Sequence, residues 1–396
     1  MDEQAKQPVA VIGLGTMGAG IAEVYARGGH RVIGIDRDEA AVSRGRTIIA
    51  RSTDRAVERG KLSSDDRDAL VDRIEWHTDL AAAVDAGLVV EAAFEDITVK
   101  RDIFTRLTDV VGPETVLATN TSSLSVTELA AATTDPSRVV GVHFFNPAPV
   151  QQLVEIISTV HTDPAVRDRL AETLHQLGKT TIGCGDRAGF VVNRLLIGYL
   201  NRAITLYGNG YARRDEIDHA MVEGAGYPMG PFALCDLVGL EVTLAVVERI
   251  WDETRDRADA PAPLLRQLVA AGHHGRKSGR GFHPHDGSDA AEPGPEPLRN
   301  RRDEFPDLLV LPYLNEALRM VEQGYASSAD IDTGMSLGCR MPKPFDQLAE
   351  LGPAAVLAGQ RAIHAETGEA SHLPCRLLVE LGEAAEPTAA LAELRS

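Results

Sequence analysis

The sequence predicts a mostly parallel, doubly wound α/β domain followed by two all-α helical domains, and three observations carry that prediction. Short apolar runs alternate with helix-length segments as far as Asp186, the arrangement that builds βαβ units into a parallel sheet covered on both faces. From Val191 onward the pattern is one of long amphipathic helices with Gly/Pro corners, and no further strand is indicated. That helical part also carries one set of residues twice at a single offset, the mark of a duplicated unit.

The elements follow in order. Residues 9–13, Val-Ala-Val-Ile-Gly, form an apolar run suited to a buried parallel strand. A helix is expected from Met17 to about Gly28, where Gly28-Gly29 acts as the stop, and a second strand over 31–36 ends at Asp36. Further strand-like runs lie at 88–92, 116–119, 139–144, 153–157 and 180–184. Beyond them, Tyr199-Leu-Asn201 recurs 114 residues on as Tyr313-Leu-Asn315, and Gly210-Tyr-Ala212 as Gly324-Tyr-Ala326. Ile217-Asp218, Met221, Gly224 and Pro228 recur at the same offset as Ile331-Asp332, Met335, Gly338 and Pro342. Between the copies, residues 284–300 are rich in Pro, Gly and acid and bury too little apolar surface to order themselves, which reads as a linker. The expected boundaries are 1–187 for the α/β domain, 188–283 for the first helical copy, 284–303 for the linker and 304–396 for the second copy.

The chain has 396 residues, enough for two or three domains, and its 44% hydrophobic content supplies several cores. Its formal charge of −18 repels phosphate backbones and anionic lipid, which argues against nucleic acid or membrane as the main partner. No apolar run approaches a membrane span, and Met1-Asp-Glu-Gln-Ala-Lys lacks the basic start of a signal peptide. Cys184, Cys235, Cys339 and Cys375 are far apart with no zinc-like spacing, so the expectation is a cytoplasmic protein with reduced thiols and no metal.

Gly13-Leu-Gly15-Thr16-Met17-Gly18 lies between the first strand and the first helix. Gly13 allows the tight turn, Gly15 lets backbone approach a pyrophosphate, and Gly18 lets helix pack on strand, while the helix N-terminus offers N–H groups to the phosphates. Asp36, eighteen residues beyond Gly18, suits the adenosine ribose hydroxyls and repels a 2′-phosphate. NAD is therefore favoured over NADP, with the adjacent Arg37 working the other way.

A hydride acceptor alone does not oxidise an alcohol; a base must take the hydroxyl proton. Histidine suits that task because its reference pKa lies near working pH. His143, in His143-Phe-Phe-Asn-Pro-Ala-Pro149, is the candidate, and Glu155 on the next strand is the available carboxylate to fix its tautomer and stabilise the imidazolium. A histidine beside two phenylalanines is also compatible with a hydrogen-bonded core residue.

These segments closely resemble the L-3-hydroxyacyl-CoA dehydrogenases, of which 3-hydroxybutyryl-CoA dehydrogenase is a type. The likeness runs from the first strand to about Phe282 through Asn120-Thr-Ser-Ser-Leu, His143-Phe-Phe-Asn-Pro, Leu153-Val-Glu155, Gly189-Phe-Val-Val-Asn193-Arg, Gly226-Tyr-Pro-Met-Gly-Pro231 and Gly275-Arg-Lys-Ser-Gly-Arg-Gly-Phe282. The resemblance implies an NAD-binding Rossmann domain followed by a helical domain, with the family's base at His143 and its partner carboxylate at Glu155. It places the substrate-oxygen contacts at Ser122 and Asn193, a pocket position at Asn146, and cofactor contacts at Glu95, Lys100 and, in the Asn120 motif, Asn120 itself. Read alone, Glu95 and Lys100 are surface polar residues and Asn193 is a helix N-cap. Arg51, Arg55 and Arg59 form one basic stripe on a helix, and Ser52 matches a family position near coenzyme A. The stripe fits either an anionic nucleotide or a solvated charged face.

Short family members end soon after the motif at Phe282, whereas the dehydrogenase part of large fatty-acid oxidation multienzymes carries two helical domains in tandem. The second copy here has Asp307 where the first has Asn193 and Leu308 where the first has Arg194, so it is expected to be non-catalytic. Its expected role is to cover the apolar face of the first copy, as an intrachain pseudo-dimer, with a homodimer as the other arrangement. The expected function is reversible NAD-dependent oxidation of an L-3-hydroxyacyl-CoA to the 3-ketoacyl thioester. Two alternatives are the same chemistry on a carrier-protein-bound or free hydroxy acid, and a non-catalytic NAD-binding interaction protein.

Overall fold

A computed structural model describes residues 6–285, 287, 305–369 and 372–395. Most of the expected linker, residues 286 and 288–303, lies outside the described residues. The chain divides into two units, Met1–Asp186 and Arg187–Ser396.

The first unit runs β1 (Val9–Ile12), α1 (Thr16–Arg27), β2 (Val32–Ile35), α2 (Glu39–Glu58), α3 (Ser64–Asp72), β3 (Ile74–His77), β4 (Leu88–Glu91), α4 (Ile97–Val110), β5 (Val116–Thr119), α5 (Val126–Ala130), β6 (Val139–Phe144), β7 (Leu153–Ser158), α6 (Pro164–Gln176) and β8 (Thr180–Gly185). Its eight-stranded sheet has the order β3-β2-β1-β4-β5-β6-β7-β8, with the chain reversing direction across the sheet between β1 and β4. Such a switch point leaves a crevice at the carboxyl ends of the strands. The central strands β1, β2, β4 and β5 are buried throughout, as helices on both faces require.

The sequence reading has no strand at β3. Ile-Glu-Trp-His buries only its first residue, because an edge strand needs little apolar surface and so leaves a weak sequence signal. The other departure from simple alternation is between β6 and β7. No crossover helix separates them, only residues 145–152, so they pair antiparallel as a hairpin within the parallel sheet. That register sets His143 directly opposite Glu155.

The second unit contains the first helical copy, α7 (Val192–Gly208), α8 (Arg214–His219), α9 (Pro231–Val238), α10 (Leu240–Thr254) and α11 (Pro263–Ala270). The second copy comprises α12 (Phe305–Glu322), α13 (Ser328–Cys339), α14 (Pro344–Leu351), α15 (Pro353–Thr367), α16 (Arg376–Gly382) and α17 (Pro387–Arg395). The two copies repeat their tertiary contacts as well as their residues. The Asn201 side chain donates to the Ala260 carbonyl and accepts from the Ala262 amide; Asn315 does the same with Leu373 and Cys375. Asp218 accepts from the Phe232 amide and Asp332 from that of Phe345, both at 2.8 Å.

The Gly275-Arg-Lys-Ser-Gly-Arg-Gly281 run, present only in the first copy, wraps the buried Asp236 carboxylate, which accepts from the amides of Phe282 and His283 at 2.7 and 2.8 Å. A Cβ at Gly281 would lie 2.0 Å from Asp236 Oδ1, so the wrap demands glycine. His285, which the sequence reading assigns to the linker, has Nε2 2.8 Å from the same carboxylate and so belongs to the first copy.

The copies pack on each other through α7 and α12. Tyr199 stacks on Tyr227 at 5.5 Å and meets Tyr313 edge-on at 6.2 Å; all three are buried. Arg194 pairs with Asp259 of its own copy at 2.9 Å and with Glu316 of the other at 2.8 Å. Burial pulls its pKa down, but the two carboxylates more than offset that and hold it above the ordinary value. Arg202 contacts His372, whose pKa burial and the guanidinium push down to about 4. Replacing Glu316 by Ala strips a mostly buried guanidinium of one partner, which costs about 2 kcal/mol. The melting temperature, followed by circular dichroism, should fall by roughly 4–8 °C. An unchanged melting temperature would remove the ion pair from the account of this interface.

Candidate active site

The turn after β1 forms the nucleotide cleft. Gly13 sits at φ +87°, a conformation that L side chains rarely adopt, and a Cβ there would lie 2.7 Å from Ala92 backbone. A Cβ at Gly18 would lie 1.7 Å from the Gly13 carbonyl oxygen, so helix and turn pack backbone to backbone. Gly15, the N-cap of α1, has nothing within 4 Å of its Cβ position. That open space in front of the N–H groups of α1, which begins with Thr16 and Met17, fits a pyrophosphate. Asp36 follows β2, and its two oxygens accept from the amides of Leu14 and Arg37, each at 2.7 Å. A cavity of about 830 Å³ runs beside Gly13, Gly15 and Asp36, floored by Ile35, Leu80, Val99 and Ile103, with Arg37, Arg44 and Arg106 also lining it. Its volume, glycine cradle and half-buried acid fit an adenine dinucleotide.

A second cluster stands at the carboxyl ends of β4 and β5. Glu91, the last residue of β4, is 0% exposed and accepts from Lys100 Nζ at 2.7 and 2.9 Å, Thr119 Oγ1 at 2.7 Å and the Ala93 amide at 2.6 Å. Lys100 is likewise 0% exposed and also lies 3.3 Å from Glu95, where the sequence alone suggests a surface lysine. The correction has a simple cause: an acid at the end of a buried strand needs a counter-charge, and the first turn of α4 delivers it. Glu91 is the residue that sequence reasoning missed, although an acid closing an apolar strand nine residues before a lysine is a usable signal.

Glu95 carries this network to the substrate loop. Its Oε1 accepts from Thr121 Oγ1 at 2.6 Å, the Ser122 amide at 3.0 Å and Ser122 Oγ at 3.5 Å. Burial raises the pKa of Glu95, but Lys100 and these donors outweigh it and hold the carboxyl below its ordinary value. The Asn120 side chain accepts from the Phe144 amide at 2.9 Å, tying this loop to the end of β6.

One residue before Phe144 is His143. Its Nδ1 lies 2.6 Å from Glu155 Oε2, with the His143 side chain 10% and that of Glu155 0% exposed. The Phe145 ring packs against the imidazole at 4.7 Å. A carboxylate at Nδ1 makes that nitrogen the hydrogen-bond donor. Asn146 is exposed on the loop that follows. Ser52 is half-buried on α2, and Arg51, Arg55 and Arg59 are exposed along and just beyond that helix. Asn193 belongs to the second unit, where it is the second residue of α7; Val191 holds the N-cap position, so Asn193 is not the cap its sequence suggests.

Residues 8–187 match the model of the 3-hydroxyacyl-CoA dehydrogenase NAD binding domain, and residues 189–285 and 307–392 match that of the 3-hydroxyacyl-CoA dehydrogenase C-terminal domain. The chain belongs to the 3-hydroxyacyl-CoA dehydrogenase family. It is 45% identical over 281 residues to 3-hydroxybutyryl-CoA dehydrogenase of Mycobacterium tuberculosis, covering 70% of this chain and 98% of that one. Against 3-hydroxyadipyl-CoA dehydrogenase of Escherichia coli K12 the identity is 35% over 368 residues, 91% of this chain and 75% of that one. The crystal structure of 3-hydroxybutyryl-CoA dehydrogenase from Escherichia coli K12 superposes with a TM-score of 0.88 at 32% identity, over 95% of this chain and 98% of that one. This member of the family is therefore an NAD-binding dehydrogenase, and its second helical copy is a repeat of the family's C-terminal domain. No helix among the described residues is long and apolar enough to cross a membrane.

Proposed function

We propose that the enzyme oxidises an L-3-hydroxyacyl-CoA to the 3-ketoacyl-CoA, reversibly, with His143 as the base. The observation that carries this reading is the buried 2.6 Å contact between His143 Nδ1 and Glu155. A carboxylate there holds the imidazole in one orientation and stabilises the imidazolium formed when Nε2 takes the hydroxyl proton. NAD, when bound along Gly13, Gly15 and Asp36, supplies the acceptor for the hydride that leaves C3. Ser122 Oγ and the Asn193 side-chain amide are the donors assigned to the 3-oxygen, where they stabilise charge as the C–H bond breaks. Glu95, which also contacts Lys100, orients the Ser122 loop. Asn146 lines the acyl pocket in this reading.

Ser52 and the Arg51, Arg55 and Arg59 stripe take the phosphates of coenzyme A. The formal charge of −18 favours CoA over an acidic carrier protein, since only a small anion is captured by a local basic stripe on an acidic surface. The four cysteines are reduced thiols, which suits a cytoplasmic setting.

The test is NADH formation from 3-hydroxybutyryl-CoA, its carrier-bound analogue and the free acid. The reading requires the CoA thioester to have the highest kcat/KM. Turnover of the free acid alone would reassign the substrate, and no turnover of any of the three would remove the catalytic role.

A further inference from the structure

Residues 145–152 tie the strand of His143 to the strand of Glu155, and the residues at the start of β8 bond to that loop. Lys179 Nζ donates to the carbonyl of Ala148 and to that of Gln151, both at 2.7 Å, and the Thr180 amide donates to Gln152 at 2.9 Å. Lys179 is buried, an uncommon state for a lysine whose ammonium has no carboxylate partner among the described residues. The helix α1 also packs its Gly20 on the same loop; a Cβ there would lie 3.2 Å from Pro149 and 3.3 Å from the Ala148 side chain. The loop that joins the strands of His143 and Glu155 is thus held by both α1 and one ammonium.

We propose that Lys179 is a positioning residue for the reaction: its ammonium holds the loop that keeps His143 in register with Glu155 and sets the place of Asn146. This rests on the reading of His143 as the base. A loop carbonyl accepts from an ammonium more strongly than from a neutral amine. The clamp therefore weakens when the proton leaves. Burial, reinforced by Arg27 of α1 and partly offset by Glu23 of the same helix, pushes the Lys179 pKa down to about 8. Arg27 and Glu23 pair with each other at 2.7 Å.

The sign separates positioning from mere support of the fold. The folded state prefers neutral Lys179 more than the unfolded chain does, so between about pH 8 and 10.5 deprotonation of this group favours folding. A fall in kcat across that range with an undiminished melting temperature reports the site and not unfolding.

The experiment compares wild type, Lys179→Met and Lys179→Arg in NADH formation from 3-hydroxybutyryl-CoA, with NADH affinity and melting temperature measured alongside. Wild-type turnover tests the reading of function by itself; the variants test only the clamp. Lys179→Met should lower kcat by about tenfold or more while KM for NAD stays within about twofold. Wild-type kcat should decline as pH rises through about 8, and Lys179→Arg, which keeps its charge, should move that decline upward. A kcat within about twofold of wild type in folded Lys179→Met, or an alkaline limb identical in wild type and Lys179→Arg, overturns the proposal. If neither variant folds, the wild-type profile decides: decline near pH 8 with the fold intact supports the clamp, and a flat profile overturns it.

Discussion

Replacing His143 by Ala should lower kcat for NADH formation by roughly 10²–10⁴-fold, the usual worth of a positioned general base. NAD affinity should stay nearly unchanged, because the cleft is made by Gly13, Gly15 and Asp36 on other strands. Alanine also leaves the fully buried Glu155 without its imidazole, so part of any loss comes from stability. His143→Gln separates the two effects: its side-chain amide still donates to the carboxylate but accepts no proton at working pH. Both variants should therefore be nearly inactive, with Gln closer to wild type in melting temperature. A wild-type turnover number in the folded Gln variant would sink the assignment of the base.

Ending the chain after the first helical copy, at Gly287, should produce a protein that self-associates or precipitates. The second copy covers Tyr199 and Tyr227 and supplies Glu316 to Arg194. Its removal would expose an apolar face with a guanidinium at its edge, the kind of patch that drives association. Light scattering on the truncated and full chains makes the comparison. A truncated chain that stays monomeric and soluble would refute the covering role.

Much of the site was legible in the sequence because chemistry imposes local spacing. The glycines of 13–18 must come at a strand-to-helix turn, and the acid at 36 must end the next strand, so one short stretch declares the cofactor. The duplicated helical unit was legible for a different reason: a repeat compares the chain with itself and needs no coordinates. What the sequence left out is equally specific. Lys100 reads as a surface charge until β4 and α4 bring it within 2.7 Å of Glu91 inside the unit. The edge strand β3 has too little apolar surface to stand out. Lys179 precedes a strand like many solvated lysines, and only the path of a loop thirty residues earlier shows what it holds.

The amino-acid order by itself determined most of the elements, the cofactor motif that opens the chain, and which histidine and glutamate could act together. Each of those depends on residues near in sequence, where periodicity, turn chemistry and strand length act directly on the backbone. Only the tertiary structure decided that β6 and β7 run antiparallel with His143 facing Glu155, that Lys100 is an internal counter-ion, and that Glu316 of the second copy completes the shell around Arg194. Those pairings depend on how whole elements pack, whether the partners are nine residues apart, as Glu91 and Lys100 are, or 122 apart, as Arg194 and Glu316 are. A buried charge takes whichever partner packing brings within about 3 Å, and packing is a property of the whole chain.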